Sequence, residues 1–109
     1  MLAMIDRLAN ALPCPLVARE AQLTGEGAVY NFNTTFFNGA RRTARMKLNV
    51  YAKTMARAIE IEDAADAAMC TLSETPIATG CTACVRNGGG WYEDGEWQVR
   101  VAYYDLTLR

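Results

Sequence analysis

Cys81-Thr82-Ala83-Cys84 is the pair of residues in this chain most capable of chemistry. A redox pair belongs at a helix N-terminus, where the dipole lowers the first thiol's pKa. Here Val85-Arg86 and a glycine run follow, which places the pair on a strand or at its end. Residues three apart on a regular strand point to opposite faces, which suits neither a redox pair nor a chelate unless a bulge intervenes. Cys14 and Cys70 would complete a four-thiolate zinc site, but each stands alone, and that spacing does not make two knuckles. The expectation is four free, inert thiols, buried or half-buried, with no metal and no cofactor.

The other candidates are weaker. Gly88-Gly89-Gly90 lacks the helix, Lys and hydroxyl that a phosphate loop needs after it; Trp91-Tyr92-Glu93-Asp94-Gly95 follows instead, as in a hairpin loop. Glu60, Glu62, Asp63 and Asp66 could be a metal or acid–base group, but on a helix they are expected to fan around a solvated or interface face. Arg41, Arg42 and Arg45, next to Phe36 and Phe37, could grip phosphate while the rings stack on bases. They could equally meet a protein partner's acidic patch or form a solvated hairpin tip. With no His, and Ser73 as the single serine, general acid–base or triad catalysis has little to work with, so no enzyme is expected.

Composition narrows the class further. The chain has 109 residues, enough for one domain, 1–109, and half of them are apolar. A formal net charge of −1 argues against a nucleic-acid binder that uses its whole surface. Of eleven cations only Lys47 and Lys53 are lysines. Arginine favours ordered, bidentate contacts, so the bias points mildly to interfaces, although a GC-rich coding sequence would produce it too. Met1-Leu2-Ala3-Met4-Ile5-Asp6-Arg7 acquires charge too early for a signal peptide, and no apolar run approaches a membrane span. A reducing cytosol is the expected site of synthesis, and thiols there stay free.

These side chains need elements to position them. Leu2, Ile5, Leu8, Ala9 and Leu12 recur at helical spacing, and Pro13-Cys14-Pro15 ends the helix. Leu16–Glu20 is a possible short edge strand, and Thr24–Gly27 a turn. Residues 28–37 pair with 42–51 as a hairpin about Asn38-Gly39, with an exposed, mobile tip from Asn38 to Ala44. Met46, Leu48 and Val50 point one way from its second strand, and Arg45, Lys47, Asn49 and Tyr51 the other. Thr54 caps a helix over 54–73 with a stripe of Met55, Ala58, Ile59, Ala65, Met69 and Leu72. Ile77–Arg86 is a strand, 87–90 a loop, Asp94-Gly95 a turn and Trp97–Leu108 a long strand. Near Tyr103-Tyr104 the apolar set of that last strand switches faces, as a bulge or a strand buried on both faces would require. The order predicts an α+β fold: an antiparallel-rich mixed sheet of four to five strands with two helices packed on one face.

Arg41–Lys53, the helix with Ala58-Ile59 and Ala65, and Gly95–Leu108 together resemble the small tail-terminator and minor capsid (neck) proteins of long-tailed bacteriophages and prophages. The resemblance covers most of the chain as a pattern of elements and includes no catalytic signature. It implies a virion structural protein made in the bacterial cytoplasm. It also implies a homo-oligomeric ring, typically of six copies, that caps the tail tube and joins it to the head connector. No catalysis, cofactor or membrane partner is implied, and nucleic acid enters only by passing through the ring. A ring needs two different, complementary patches on each copy. Arg41, Arg42, Arg45 and Lys47 on the hairpin and Glu60, Asp63 and Asp66 on the helix are the expected pair. A neighbouring head–tail connector protein, a zinc or redox module and a small nucleic-acid-binding protein stay open as alternatives.

Overall fold

The alternation from Ala44 to Ala52 organises the molecule. The computed structural model describes residues 2–38 and 41–108, with all their side chains except those of Leu2, 33–38, Arg41 and Arg42. Ala44, Met46, Leu48, Val50 and Ala52 share one face of a strand and are all buried. The elements run α1 (Leu2–Ala11), β1 (Leu16–Val17), β2 (Gly27–Asn38), β3 (Arg41–Ala52), α2 (Met55–Cys70), α3 (Pro76–Thr79), β4 (Cys81–Asp94) and β5 (Trp97–Leu108), with 3-10 turns at Glu20–Gln22 and Leu72–Glu74. Among the described residues one sheet of order β1-β2-β3-β5-β4 holds every strand, and only the β1–β2 pairing is parallel. The fold is therefore α+β, with a mixed, mostly antiparallel sheet and helices against one face, as the order of elements predicts.

Packing follows from the periods. Met4 and Leu8 of α1, with Leu12 just after it, meet Ala58, Ile61, Ala65 and Met69 of α2 over the buried face of β3 and β5 in one apolar cluster. Each large aliphatic side chain buried this way contributes roughly 1.5–3 kcal/mol. Thr54 caps α2, its Oγ1 accepting from the Arg57 amide at 3.2 Å. The stripe is shifted from the expected one, however: Ile59 is exposed, and Ile61 and the carboxylate-bearing Glu62 are buried instead. α2 stops at Cys70, and Leu72 is buried from the 3-10 turn that follows.

Pairing between β2 and β3 begins at Gly27↔Tyr51, passes Ala28↔Val50 to Phe32↔Met46, and slips by one residue to Thr34↔Arg45 and Phe37↔Arg42. That slip leaves Asn33 as the bulged residue. The segment expected as a mobile tip is largely strand. Arg42, Thr43 and Ala44 pair with β2 on one side and with Leu108, Thr107 and Leu106 of β5 on the other. Ala44 is buried, so two neighbours hold this segment, not one. Gly39 and Ala40 lie outside the described residues, and with them half of the expected Asn-Gly turn.

Two further expectations are corrected in the second half of the chain. Ile77–Thr79 is a helical turn, not a strand. Pro76 occupies its first position, Gly80 closes it at φ 74°, and Thr79 Oγ1 donates to the Leu72 and Thr75 carbonyls. Likewise, 87–90 is not a loop. β4 runs through the glycines with a bulge between Arg86 and Gly89, where Gly88 takes φ 90°. The hairpin turn comes later, at Gly95-Glu96, with Gly95 at φ 63° in the first central position, as a II′ turn requires. Strand β5 carries no bulge and is buried on both faces. Tyr104, Leu106 and Leu108 face the helices, while Val99 and Val101 join Tyr51 in a second, smaller cluster on the opposite face.

Candidate functional site

Two acids one helical turn apart on α2 meet two arginines of the β4–β5 hairpin. Glu62 and Asp66 lie on the side of α2 that packs on the sheet. Arg86 and Arg100 point to the same side because their partners in register, Tyr104 and Val50, do. Arg86 donates from Nη2 to Glu62 at 2.8 Å and from Nη1 to Asp66 at 2.8 and 2.9 Å. Its Nε donates to the Gly88 carbonyl at 2.8 Å, which ties the bulge into the same group. Arg100 donates to Glu62 from Nε, and Tyr104 Oη donates to Asp66. Glu62 is 4 % exposed.

Its chemistry is that of a clamp. Burial pushes the Glu62 carboxyl up, but hydrogen bonds from Arg100 and Arg86 and their charges outweigh it and hold it below the usual carboxylate range. Burial and the neighbouring Asp66 raise the Tyr104 phenol far above its ordinary value, so it stays protonated and donates. Two carboxylates face two guanidinium groups, so the formal charges of the group cancel. The expectation that the acids of this helix fan apart is thus corrected: Glu62 and Asp66 converge.

Within one copy, the described side chains among the sequence-predicted interface residues are not brought together. Arg41 and Arg42 have paired backbones, but their side chains lie outside the described residues. Arg45 Nε donates to Asp105 Oδ1 at 2.8 Å on the sheet face away from the helices, and Asn87 donates to the same carboxylate. Lys47 is half-buried on that face, in a shallow hollow with Gly90, Tyr92, Val101 and Tyr103. Glu60 accepts from Arg57, whose Nε also reaches Glu26 at 2.9 Å. Asp63 is exposed, with no ion-pair partner among the described residues. Asp66 belongs to the clamp around Glu62. Arg45, Glu60 and Asp66 thus already have ion-pair partners within the chain.

The cysteines also differ from expectation. A bulge between Cys81 and Ala83 turns Cys81 and Cys84 to the same face, opposite Leu108 and Leu106. Cys81 is fully buried, Cys84 and Cys14 are half-buried, and Cys70 is exposed; all four are free. Burial pushes the Cys84 thiol up to about 12 and, with Glu26, the Cys14 thiol up to about 11, so neither is a thiolate at neutral pH. Among the described residues no three His, Cys, Asp or Glu side chains are grouped to hold a metal.

The sheet face away from the helices carries no helix among the described residues and is covered only in part, by the segment around Leu23. Its apolar cluster of Tyr51, Val99 and Val101 is flanked by Leu23, Val29, Trp97 and Tyr103. Lys53 sits 4.1 Å from the Trp97 ring centre and pairs with Glu96. Farther along, Thr43, Arg45, Val85, Asp105 and Thr107 line an open groove of about 480 Å³. No known protein-family model matches the sequence, and comparison with curated proteins finds no relative.

Proposed function

We propose that this chain is a structural protein of a long-tailed phage virion, a tail terminator that closes the tube as a ring of copies and joins it to the head connector. The observation that carries this reading is the long sheet, with helices on one face only and a broad opposite face of aromatics and paired charges. A sheet in a molecule extending 45 × 22 × 22 Å offers long, flat surfaces suited to contact with other subunits. The resemblance in element order supplies the identity of the assembly; the clamped charges of Glu62, Asp66, Arg86 and Arg100 suit rigidity more than turnover.

Mixing the purified chain with the tail-tube protein encoded near it tests this. Electron microscopy should show rings at one end of each tube. Binding to connector rings without tube capping would reassign it to a neighbouring neck protein. Salt-sensitive retention on duplex DNA with no tube binding would favour a nucleic-acid-binding role and overturn the proposal.

A further inference from the structure

Both outer edges of the sheet have long stretches with no pairing strand among the described residues. On one side β1 covers β2 only at Ala28 and Val29; among the described residues nothing pairs with the outer edge of β2 from Tyr30 to Asn38. That run, Tyr-Asn-Phe-Asn-Thr-Thr-Phe-Phe-Asn, holds no charge and no proline. On the other side no strand pairs with the outer edge of β4 among the described residues, although Thr79 Oγ1 accepts from the Cys81 amide and Arg86 donates to the Gly88 carbonyl, and from Val85 to Glu96 every residue but Arg86 is exposed. Soluble proteins normally blunt such edges with Lys, Pro, short strands, bulges, inward-pointing charges or a covering loop. Here β4 has bulges, and its Cys81–Gly89 half carries neither Lys nor Pro.

We infer that β4 of one copy pairs with β2 of the next, so that one sheet continues from subunit to subunit. This rests on the ring assembly proposed above and names its interface. Strand direction selects it. β2 and β5 run one way, β3 and β4 the other. Repeating the sheet with directions kept sets β4 beside the next β2 in antiparallel sense, the slightly more stable pairing.

The levels also match. Phe37 aligns through Arg42 and Leu108 with Cys81, and Tyr30 through Leu48 and Ala102 with Gly89. The free part of β2 thus lies level with the first half of β4. Charge does not oppose the junction, because Arg86 is the single charged residue from Cys81 to Gly89 and is already held by Glu62 and Asp66. A junction of eight residues is about 27 Å long. It buries on the order of several hundred Å² per partner, at the weak end of specific interfaces, so assembly depends on concentration. A self-pairing of β2 with β2 leaves β4 open, whereas head-to-tail pairing into a closed ring covers both the free part of β2 and the first half of β4 in every copy.

Two edge-blocked variants test this. Asn31→Lys with Asn33→Lys blocks β2, and Ala83→Lys with Val85→Lys blocks β4. Circular dichroism and melting verify that each folds; Val85→Lys alone replaces the second pair if it does not. In analytical ultracentrifugation each variant alone should be monomeric where the wild type assembles. Their mixture should give a heterodimer, because the free β4 of one meets the free β2 of the other. Continued dimerisation of the β4 variant alone overturns the inference in favour of β2 self-pairing; dimerisation of the β2 variant alone does so in favour of β4 self-pairing. If the wild type assembles and neither variant changes it, this interface is wrong while the ring stands. If the wild type never assembles, both fail.

Discussion

Glu62→Gln is the sharpest probe of the clamp, because it keeps shape and one acceptor while removing the charge. The Glu62 side chain is 5 % exposed and accepts from Arg86 at 2.8 Å and from Arg100. Hydrogen bonds to charged groups contribute roughly 1.5–3 kcal/mol each, which sets a ceiling of about 3–6 kcal/mol for the two. Water lowers it, since the Arg86 and Arg100 side chains are 29 % and 26 % exposed, and Arg86 keeps Asp66. Removing one partner of a fully buried pair costs about 3–5 kcal/mol, so a loss of about 2–3 kcal/mol is expected here. In a domain of this size that lowers Tm by roughly 10 °C.

The pH dependence has a definite sign. A carboxyl held below its unfolded value stabilises fully above that value, about 4.3, and loses the contribution as pH falls through its folded value. The gap between wild type and variant should therefore be full at neutral pH and narrow on acidification below about pH 4. Urea unfolding across pH, with Glu60→Gln as an exposed control, measures it. A loss below about 0.5 kcal/mol at neutral pH, or a gap that acid leaves unchanged, would refute the clamp.

Three other outcomes are expected. Gly89→Ala should destabilise clearly, because its Cβ would collide with the Val101 carbonyl and the Arg86 guanidinium, whereas Gly90→Ala meets open space and should change stability by less than about 0.5 kcal/mol; thermal melts compare the two. With a thiol reagent at neutral pH, exposed Cys70 should react first and Cys14 and Cys84 slowly. Cys81→Ala with Cys84→Ala should keep the fold at a cost of roughly 1–2 kcal/mol; stoichiometric zinc or unfolding by chelator would contradict this. Arg41→Glu with Arg42→Glu should weaken assembly or tube binding and its salt dependence, read by ultracentrifugation at two ionic strengths; unchanged assembly at low salt would remove these arginines from the interface.

Much of the fold was legible because its signals are local. The period-2 run from Met46 to Val50, the Thr54 cap, the first-helix periodicity and the prolines after it each depend on a few neighbouring residues. What failed depended on partners far along the chain. Asn87–Gly90 has the composition of a loop, yet β5 supplies a pairing partner for it, and a Gly88 bulge absorbs the mismatch. Ile59 looks like core until the helix is rotated so that Ile61, Ala65 and Met69 face inward; that rotation also buries Glu62, which composition alone assigns to the surface. The acids were singled out, but their partners were not. Arg86 and Arg100 lie 24 and 38 residues from Glu62, and only the register of β4 on β5 unites them. A usable signal was present: Arg100 alternates with Ala102 and Tyr104 on the inward face of β5, where an unpaired charge is not tolerated. The cysteines turned on one bulge at Thr82, for which the sequence carries no strong mark.

Mass in solution over a concentration series, by sedimentation or light scattering, tests the central claim most directly. The account predicts a 12.0 kDa monomer when dilute that gives way to a discrete multimer as concentration rises. A strict monomer at millimolar concentration, with no binding to tail-tube protein, would contradict it.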